Sequence, residues 1–156
     1  MSVLVLPSPL GRIRLRAEGG ALRSLQFDRG EALPEMPADP ADQTVLEAAA
    51  AWVARYFRGE EPGPTPPLLP AGTEFQRRVW ALAASVPRGE TRSYGELAKA
   101  LGSSPRAVGA ALARNPILLM IPCHRVLGRG ARLTGFAAGL PRKQALLRLE
   151  GHSPIP

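Results

Sequence analysis

The segment Pro122-Cys123-His124-Arg125-Val126 gathers the groups with the clearest chemical potential. Cys123 is the sole thiol among 156 residues. A lone cysteine is more often a small buried hydrophobe than a nucleophile. Three neighbours weigh against that reading here. His124 brings an imidazole near the sulfur or its supporting network. Arg125 adds positive charge, which favours a thiolate. Pro122 and the apolar run 117–121 hold the segment stiff. A rigid thiol in electropositive surroundings is a candidate nucleophile. One cysteine also excludes an internal disulfide framework and argues against a zinc–cysteine cluster.

The elements that must position this segment can be read from periodicity. Residues 3–6, 12–17 and 22–27 are short alternating runs, separated by the turns Ser8-Pro9-Leu10-Gly11 and Glu18-Gly19-Gly20. They predict a small sheet with one buried face. Residues 31–42 are proline-rich and acidic and read as a loop. Residues 44–58 carry Val45, Leu46, Ala49, Trp52, Val53, Tyr56 and Phe57 at helical spacing. The stretch 59–67 is too rich in proline and glycine for a helix and reads as an extended linker. A domain boundary is placed near Ala71, giving units 1–70 and 71–156.

The second unit reads as helical. Thr73, with Gln76 three residues on, predicts a capping box opening a helix over 73–85. Ser93 caps a short helix over 93–101, which Gly102 ends. Ser104 caps the next, with Pro105 in its first turn, running to about 114. Two short helices joined at a glycine turn are a helix-turn-helix candidate. Asn115-Pro116 breaks the chain, and 117–121 reads as a buried, strand-like run. Residues 128–135 form a glycine-punctuated loop or hairpin. A last helix spans 141–150, with Leu140, Gln144, Leu146 and Leu147 toward the core, and 152–156 is a loose tail.

Composition narrows the partners. Hydrophobic residues make up 45% and charged residues 21%, as in an ordinary globular chain rather than a disordered one. No apolar run approaches a membrane span, and no secretory leader is apparent, so a cytoplasmic location is expected. Residues 1–70 hold seven arginines against nine acidic residues, net −2. Residues 71–156 hold eleven arginines and two lysines against four glutamates, net +9. A strongly basic second half suits a polyanion such as nucleic acid.

These motifs together resemble the O6-alkylguanine-DNA alkyltransferases, the methylated-DNA–protein-cysteine methyltransferases. The resemblance covers nearly the whole chain. It rests on Ser8-Pro9-Leu10-Gly11, on Gly72-Thr73-Glu74-Phe75-Gln76 through Trp80, and on Thr91-Arg92-Ser93-Tyr94-Gly95-Glu96-Leu97-Ala98. Arg106-Ala107-Val108-Gly109, Asn115-Pro116, the stretch 121–126 and Glu150-Gly151-His152 complete it. The resemblance implies an α+β chain: a ribonuclease H-like α/β domain with an antiparallel sheet, then a mostly helical winged helix-turn-helix domain. It implies DNA repair by direct reversal. Cys123 takes the alkyl group from O6-alkylguanine, with O4-alkylthymine a further candidate, and the resulting thioether is permanent, so each molecule acts once. No metal or organic cofactor is required. His124 acts as base through a water, Glu150 orients His124, and Asn115 braces the turn that carries the thiol.

The same resemblance implies double-stranded DNA as partner and a monomer as the working unit. The DNA-facing set is Ser93, Tyr94, Arg106, Ala107, Ala110, Ala111 and Arg114. The small residues of the second helix suit a close approach to a minor groove. Arg106 fills the stack after the damaged base is extruded, a step the chemistry needs because a buried thiol cannot reach an alkyl group inside a duplex. Tyr94 promotes extrusion and donates to the leaving base. The pocket set is Val126, Phe136, Ala137, Ala138 and Leu118, with the carbonyls of Cys123 and Val126 reading the guanine amino group. Phe136-Ala137-Ala138-Gly139 departs from the Tyr-Ser-Gly-Gly of many members, and Leu118 replaces a proline found in some. Two other classes are carried beside this one: a non-catalytic lesion binder that hands damage to nucleotide excision repair factors, and a helix-turn-helix regulator. Cys123 discriminates against the first; the absence of a second cysteine or sensing domain counts against the second.

Overall fold

A computed structural model describes residues 1–34, 38–128, 136 and 138–152. The chain divides into two compact units, Met1–Ala71 and Gly72–Pro156.

In the first unit β1 (Ser2–Leu6), β2 (Ile13–Glu18) and β3 (Ala21–Phe27) form an antiparallel meander in that order. Leu4 pairs with Leu15, and Leu15 with Leu25, so the alternating positions share a face. Ile13, Leu15 and Ala17 are wholly buried beneath α1 (Pro40–Phe57). That helix presents the stripe Val45, Leu46, Ala49, Trp52, Val53 and Tyr56. Its start corrects the loop expected over 31–42. Asp39 caps the helix through the Ala41 N–H, and Pro40 occupies the first turn, where a missing N–H costs nothing. The linker is not free. The Trp52 indole and the Arg55 guanidinium donate to the carbonyls of Gly63 and Pro62, and Leu68 bridges to Leu22 of β3.

In the second unit α2 (Glu74–Ala84) begins with the full Thr73–Gln76 capping box. Then come β4 (Arg92–Ser93), α3 (Tyr94–Leu101) and α4 (Pro105–Ala113). Ser93 and Ser104 cap α3 and α4, and Gly102 turns between them at φ +62°, a left-handed conformation that glycine adopts without strain. Trp80 donates its indole N–H to the Ala111 carbonyl at 2.9 Å, pinning α2 to α4. A 3-10 turn, Cys123–Arg125, leads into β5 (Val126–Leu127), and α5 (Leu140–Leu149) closes the described unit. β4 and β5 pair in parallel, Arg92 opposite Val126. This pairing was not expected, and it ties the start of the helix-turn-helix to the cysteine segment. Leu140, expected in the core, is 43% exposed. Among the described residues no helix is long and apolar enough to cross a membrane.

Candidate active site

Asn115 organises the turn that carries the thiol. It follows α4 directly, and Pro116 stops the helix there. The side-chain amide then acts as an internal ligand for the chain that folds back over it. Its carbonyl accepts from the Ile117 N–H at 2.9 Å. Its amino group donates to the Ile121 carbonyl at 2.8 Å and to Cys123 Sγ at 3.1 Å. Residues 117–121 are therefore a compact turn and not the strand-like run expected. Leu119 sits at φ +69°, a left-handed conformation costly for a branched chain. Burial of Leu118, Leu119 and Ile121 and the bonds Met120 N–H to Leu118 O and Ile121 N–H to Ile117 O offset that cost. A periodicity reading misses this because continuous apolar runs look alike in strands and in buried turns.

Beyond Cys123 the 3-10 turn swings His124 inward, where it is 0% exposed. Its Nε2 lies 2.6 Å from Glu150 Oε2. Glu150 follows the last turn of α5 and is held from the other side by Arg125, whose Nε donates to Oε1 at 2.7 Å and whose terminal nitrogen donates to Oε2 at 3.1 Å. Arg125 also donates to the Val86 carbonyl at 2.7 Å. Its charge is thus spent on Glu150 and not on the thiol, which corrects the role expected for it. With Nε2 donating to the carboxylate, Nδ1 carries the lone pair, and Nδ1 is buried with no hydrogen-bond partner among the described residues. Phe136 stands edge-on to the imidazole, ring centres 6.5 Å apart.

Burial governs the ionisation of the cluster. It pushes the Cys123 thiol up to about 11, against the opposing pull of the Asn115 amide and the charge of Lys143. Burial also lowers His124 below its ordinary value, outweighing Glu150. The resting pair is a neutral thiol beside a neutral imidazole. Such a thiol becomes a nucleophile only when a base removes its proton as it attacks.

Lys143 was missed by the sequence reading. It is 0% exposed on α5, and its Nζ donates to the Val126 carbonyl at 2.8 Å and lies 5.7 Å from the centre of the Tyr94 ring. The only sequence signal was its place one turn before Leu146 and Leu147, on the face that must be buried. Tyr94, the first residue of α3, also lines the path of α4: a Cβ added at Gly109 would stand 3.9 Å from its ring.

The structure brings together Cys123, His124, Glu150, Asn115, Val126 and Phe136, with Tyr94 joined through Lys143. Arg106, Ala110 and Arg114 lie exposed on or at the end of α4, with Ala107 half-buried. Ser93 uses its hydroxyl oxygen to cap α3. Two expected positions need correction. Ala111 is buried against α2 and unavailable to a groove, and Leu118 is a fully buried core side chain rather than a pocket lip. Ala138 is half-buried, and Ala137 lies outside the described residues.

What this arrangement can do is thiol chemistry: a sole cysteine clamped by an amide, a histidine with an open lone pair, and a carboxylate behind it, set against a helix-turn-helix. Comparison with known proteins agrees. The family described as 6-O-methylguanine DNA methyltransferase, DNA binding domain, matches residues 74–152. A methylated-DNA–protein-cysteine methyltransferase of Methanosarcina acetivorans is 41% identical, the match covering 97% of this chain and 99% of that protein. One from Mycobacterium leprae is 40% identical over 96% and 92%. The crystal structure of Mycobacterium tuberculosis OGT in complex with DNA superposes with a TM-score of 0.84 at 38% identity, covering 99% of this chain and 96% of that one. The chain belongs to the methylated-DNA–protein-cysteine methyltransferase family.

Proposed function

We propose that the protein repairs alkylated DNA by transferring the alkyl group from O6-alkylguanine to Cys123, once per molecule. The observation that carries this is the pair of bonds Asn115–Cys123 and His124–Glu150 at one 3-10 turn, with an imidazole lone pair left open on the residue that follows the only thiol. In the step itself the thiol proton passes through a water to His124 Nδ1. Sulfur attacks the alkyl carbon, the S–C bond forms as the C–O6 bond breaks, and the electron pair leaves on guanine. Glu150 stabilises the imidazolium that results, and Arg125 fixes Glu150. Tyr94 donates to the departing base. Water does not cleave the thioether, so no turnover follows.

DNA reaches this site across α3 and α4. The exposed Arg106 replaces the extruded base, Ala107 and Ala110 allow close approach to the groove, and Arg114 and Ser93 contact the backbone. Phe136, Ala138 and Val126 wall the pocket. The first unit is a ribonuclease H-like domain, a reading supported by its antiparallel meander covered by α1. The second is a winged helix-turn-helix domain, supported by α3–Gly102–α4; the loop or hairpin expected at 128–135 falls, over 129–135, outside the described residues. The protein acts as a cytoplasmic monomer without a cofactor. A lesion binder without chemistry is not favoured, since it has no use for a thiol clamped by Asn115.

The test is intact mass after incubation with a duplex carrying O6-methylguanine. The expected gain is about 14 Da on the peptide holding Cys123, and none with undamaged DNA. Tight lesion binding with no gain would refute the transfer.

A further inference from the structure

We propose that Arg88 is a positioning residue for Glu150: from the turn Pro87–Glu90 it caps the last carbonyl of α5 and so fixes where the carboxylate meets His124. The inference rests on the reading of His124 as the base of the transfer step. Helix ends fray, because their last carbonyls have no donor within the helix. Glu150 is the C-cap of α5, so the carboxylate that meets His124 at 2.6 Å hangs from just such an end. The chain itself meets the carbonyls before it: the N–H groups of Glu150, Gly151 and His152 donate to Leu146, Arg148 and Leu147. Gly151, at φ +83°, makes that return possible. The Leu149 carbonyl is met by a side chain instead. Arg88 donates to it at 3.2 Å from 61 positions away in the sequence. A cation at this end also suits the helix dipole.

The turn that carries Arg88 has the shape this reach needs. The Glu90 N–H donates to the Pro87 carbonyl at 3.1 Å, and Gly89 takes φ +83°, which leaves Arg88 at the corner. A Cβ added at Gly89 would stand 3.6 Å from the Glu150 carbonyl, so the turn lies directly against the helix end. The residue before the turn is held as well. Arg125 donates to the Val86 carbonyl at 2.7 Å while its other nitrogens grip Glu150. These connections close a ring: Arg125 ties Glu150 to Val86, the chain runs on to Arg88, and Arg88 returns to Leu149, the neighbour of Glu150. Arg125 fixes the carboxylate, and Arg88 fixes the backbone from which it hangs. A shift of about 1 Å in that backbone is enough to spoil a catalytic contact.

Two substitutions test the role. Arg88→Met removes the donor but keeps most of the apolar stem, and Arg88→Lys restores a cationic donor. The first readout is the imidazole Nε2 proton of His124 by NMR. The chain has two histidines, and His152→Gln isolates the buried one. Wild type should show a slowly exchanging, downfield imidazole proton, as a buried bond to a carboxylate requires. In Arg88→Met it should exchange about tenfold faster, and in Arg88→Lys it should stay near wild type. This needs neither DNA nor reaction, so it stands apart from the repair assay. The second readout is single-turnover transfer from free O6-benzylguanine, which Arg88→Met should slow about tenfold and Arg88→Lys should largely restore. In a Glu150→Gln background Arg88→Met should cost less than about twofold more, because Arg88 acts through that carboxylate. A merely structural arginine would lower the unfolding midpoint, leave the proton exchange of the folded protein unchanged and add its full effect to Glu150→Gln. Unchanged exchange in Arg88→Met, a full further loss in the Glu150→Gln background, Arg88→Lys behaving like Arg88→Met, or no such proton in wild type would each overturn the proposal. The expected proton pattern in a protein that takes no alkyl group from benzylguanine or lesion DNA would instead overturn the proposed function alone.

Discussion

Replacing Asn115 with alanine should damage stability and chemistry by amounts that can be worked out separately. The side chain makes three hydrogen bonds in a buried turn: from the Ile117 N–H at 2.9 Å, to the Ile121 carbonyl at 2.8 Å and to Cys123 Sγ at 3.1 Å. Alanine leaves the Ile117 N–H buried without an acceptor, a cost of about 1–3 kcal/mol. The Ile121 carbonyl suffers less, because the Cys123 N–H still donates to it at 2.8 Å. The strain at Leu119 then has one support fewer. We expect the second unit to lose about 2–4 kcal/mol in urea unfolding. The reaction loses a donor aimed at a sulfur that becomes negative, and such charge-assisted bonds contribute about 1.5–3 kcal/mol. At 1.36 kcal/mol per decade, transfer should slow by about tenfold to a hundredfold. The assay is single-turnover alkyl transfer, measured at a temperature where the variant is fully folded. A variant within about 0.5 kcal/mol of wild type and within threefold in rate would show that the amide is not the brace the geometry makes it.

Three further outcomes are expected. Cys123→Ala should show no mass gain with lesion DNA yet keep its DNA affinity, because α3 and α4 are untouched; residual transfer in that variant would sink the mechanism. Arg106→Ala should slow repair of a duplex far more than reaction with free O6-benzylguanine, which needs no extrusion, and equal losses on both would remove the residue from that role. Stability should fall on the acid side and change little between pH 9 and 10. His124 is held below 6.5, so the unfolded chain binds the extra proton and stability drops as pH falls below that value. Above pH 9 two buried groups oppose each other. The Cys123 thiol, raised from 9.0 to about 11, destabilises the fold as the unfolded chain gives up its proton first, while Lys143, lowered from 10.5 to about 8, stabilises it because the unfolded chain keeps a proton that the folded one has lost. Calorimetry from pH 5 to 10 reads the acid limb, and no loss below pH 6.5 would contradict the burial of His124.

The helix ends were legible in the sequence because capping is local. Thr73, Ser93, Ser104 and Gly102 sit where short-range hydrogen bonds place them, and no distant contact changes that. Pro40 was misread because proline marks both a break and a first turn, and only Asp39 before it tells them apart. The turn at 117–121 was hidden for a different reason. Its shape comes from one amide at Asn115 that bonds forward to residues two, six and eight positions on, and no periodicity reports that. Arg125 and Lys143 were out of reach because their partners, Glu150 and Val126, lie 25 and 17 residues away. The pairing of β4 with β5 joins residues still farther apart, Arg92 with Val126, and is only two residues long. Ala111 failed because composition does not say which side of a helix meets α2.

A reagent that is consumed on first use has to remain intact while it waits. Peroxide and glutathione chemistry attacks thiolates that solvent can reach. Cys123 is 5% exposed, and its pKa is pushed up to about 11, so it presents neither the ionised sulfur nor the access that oxidation requires. The same burial that demands a base for the repair step therefore also slows oxidation of the idle thiol.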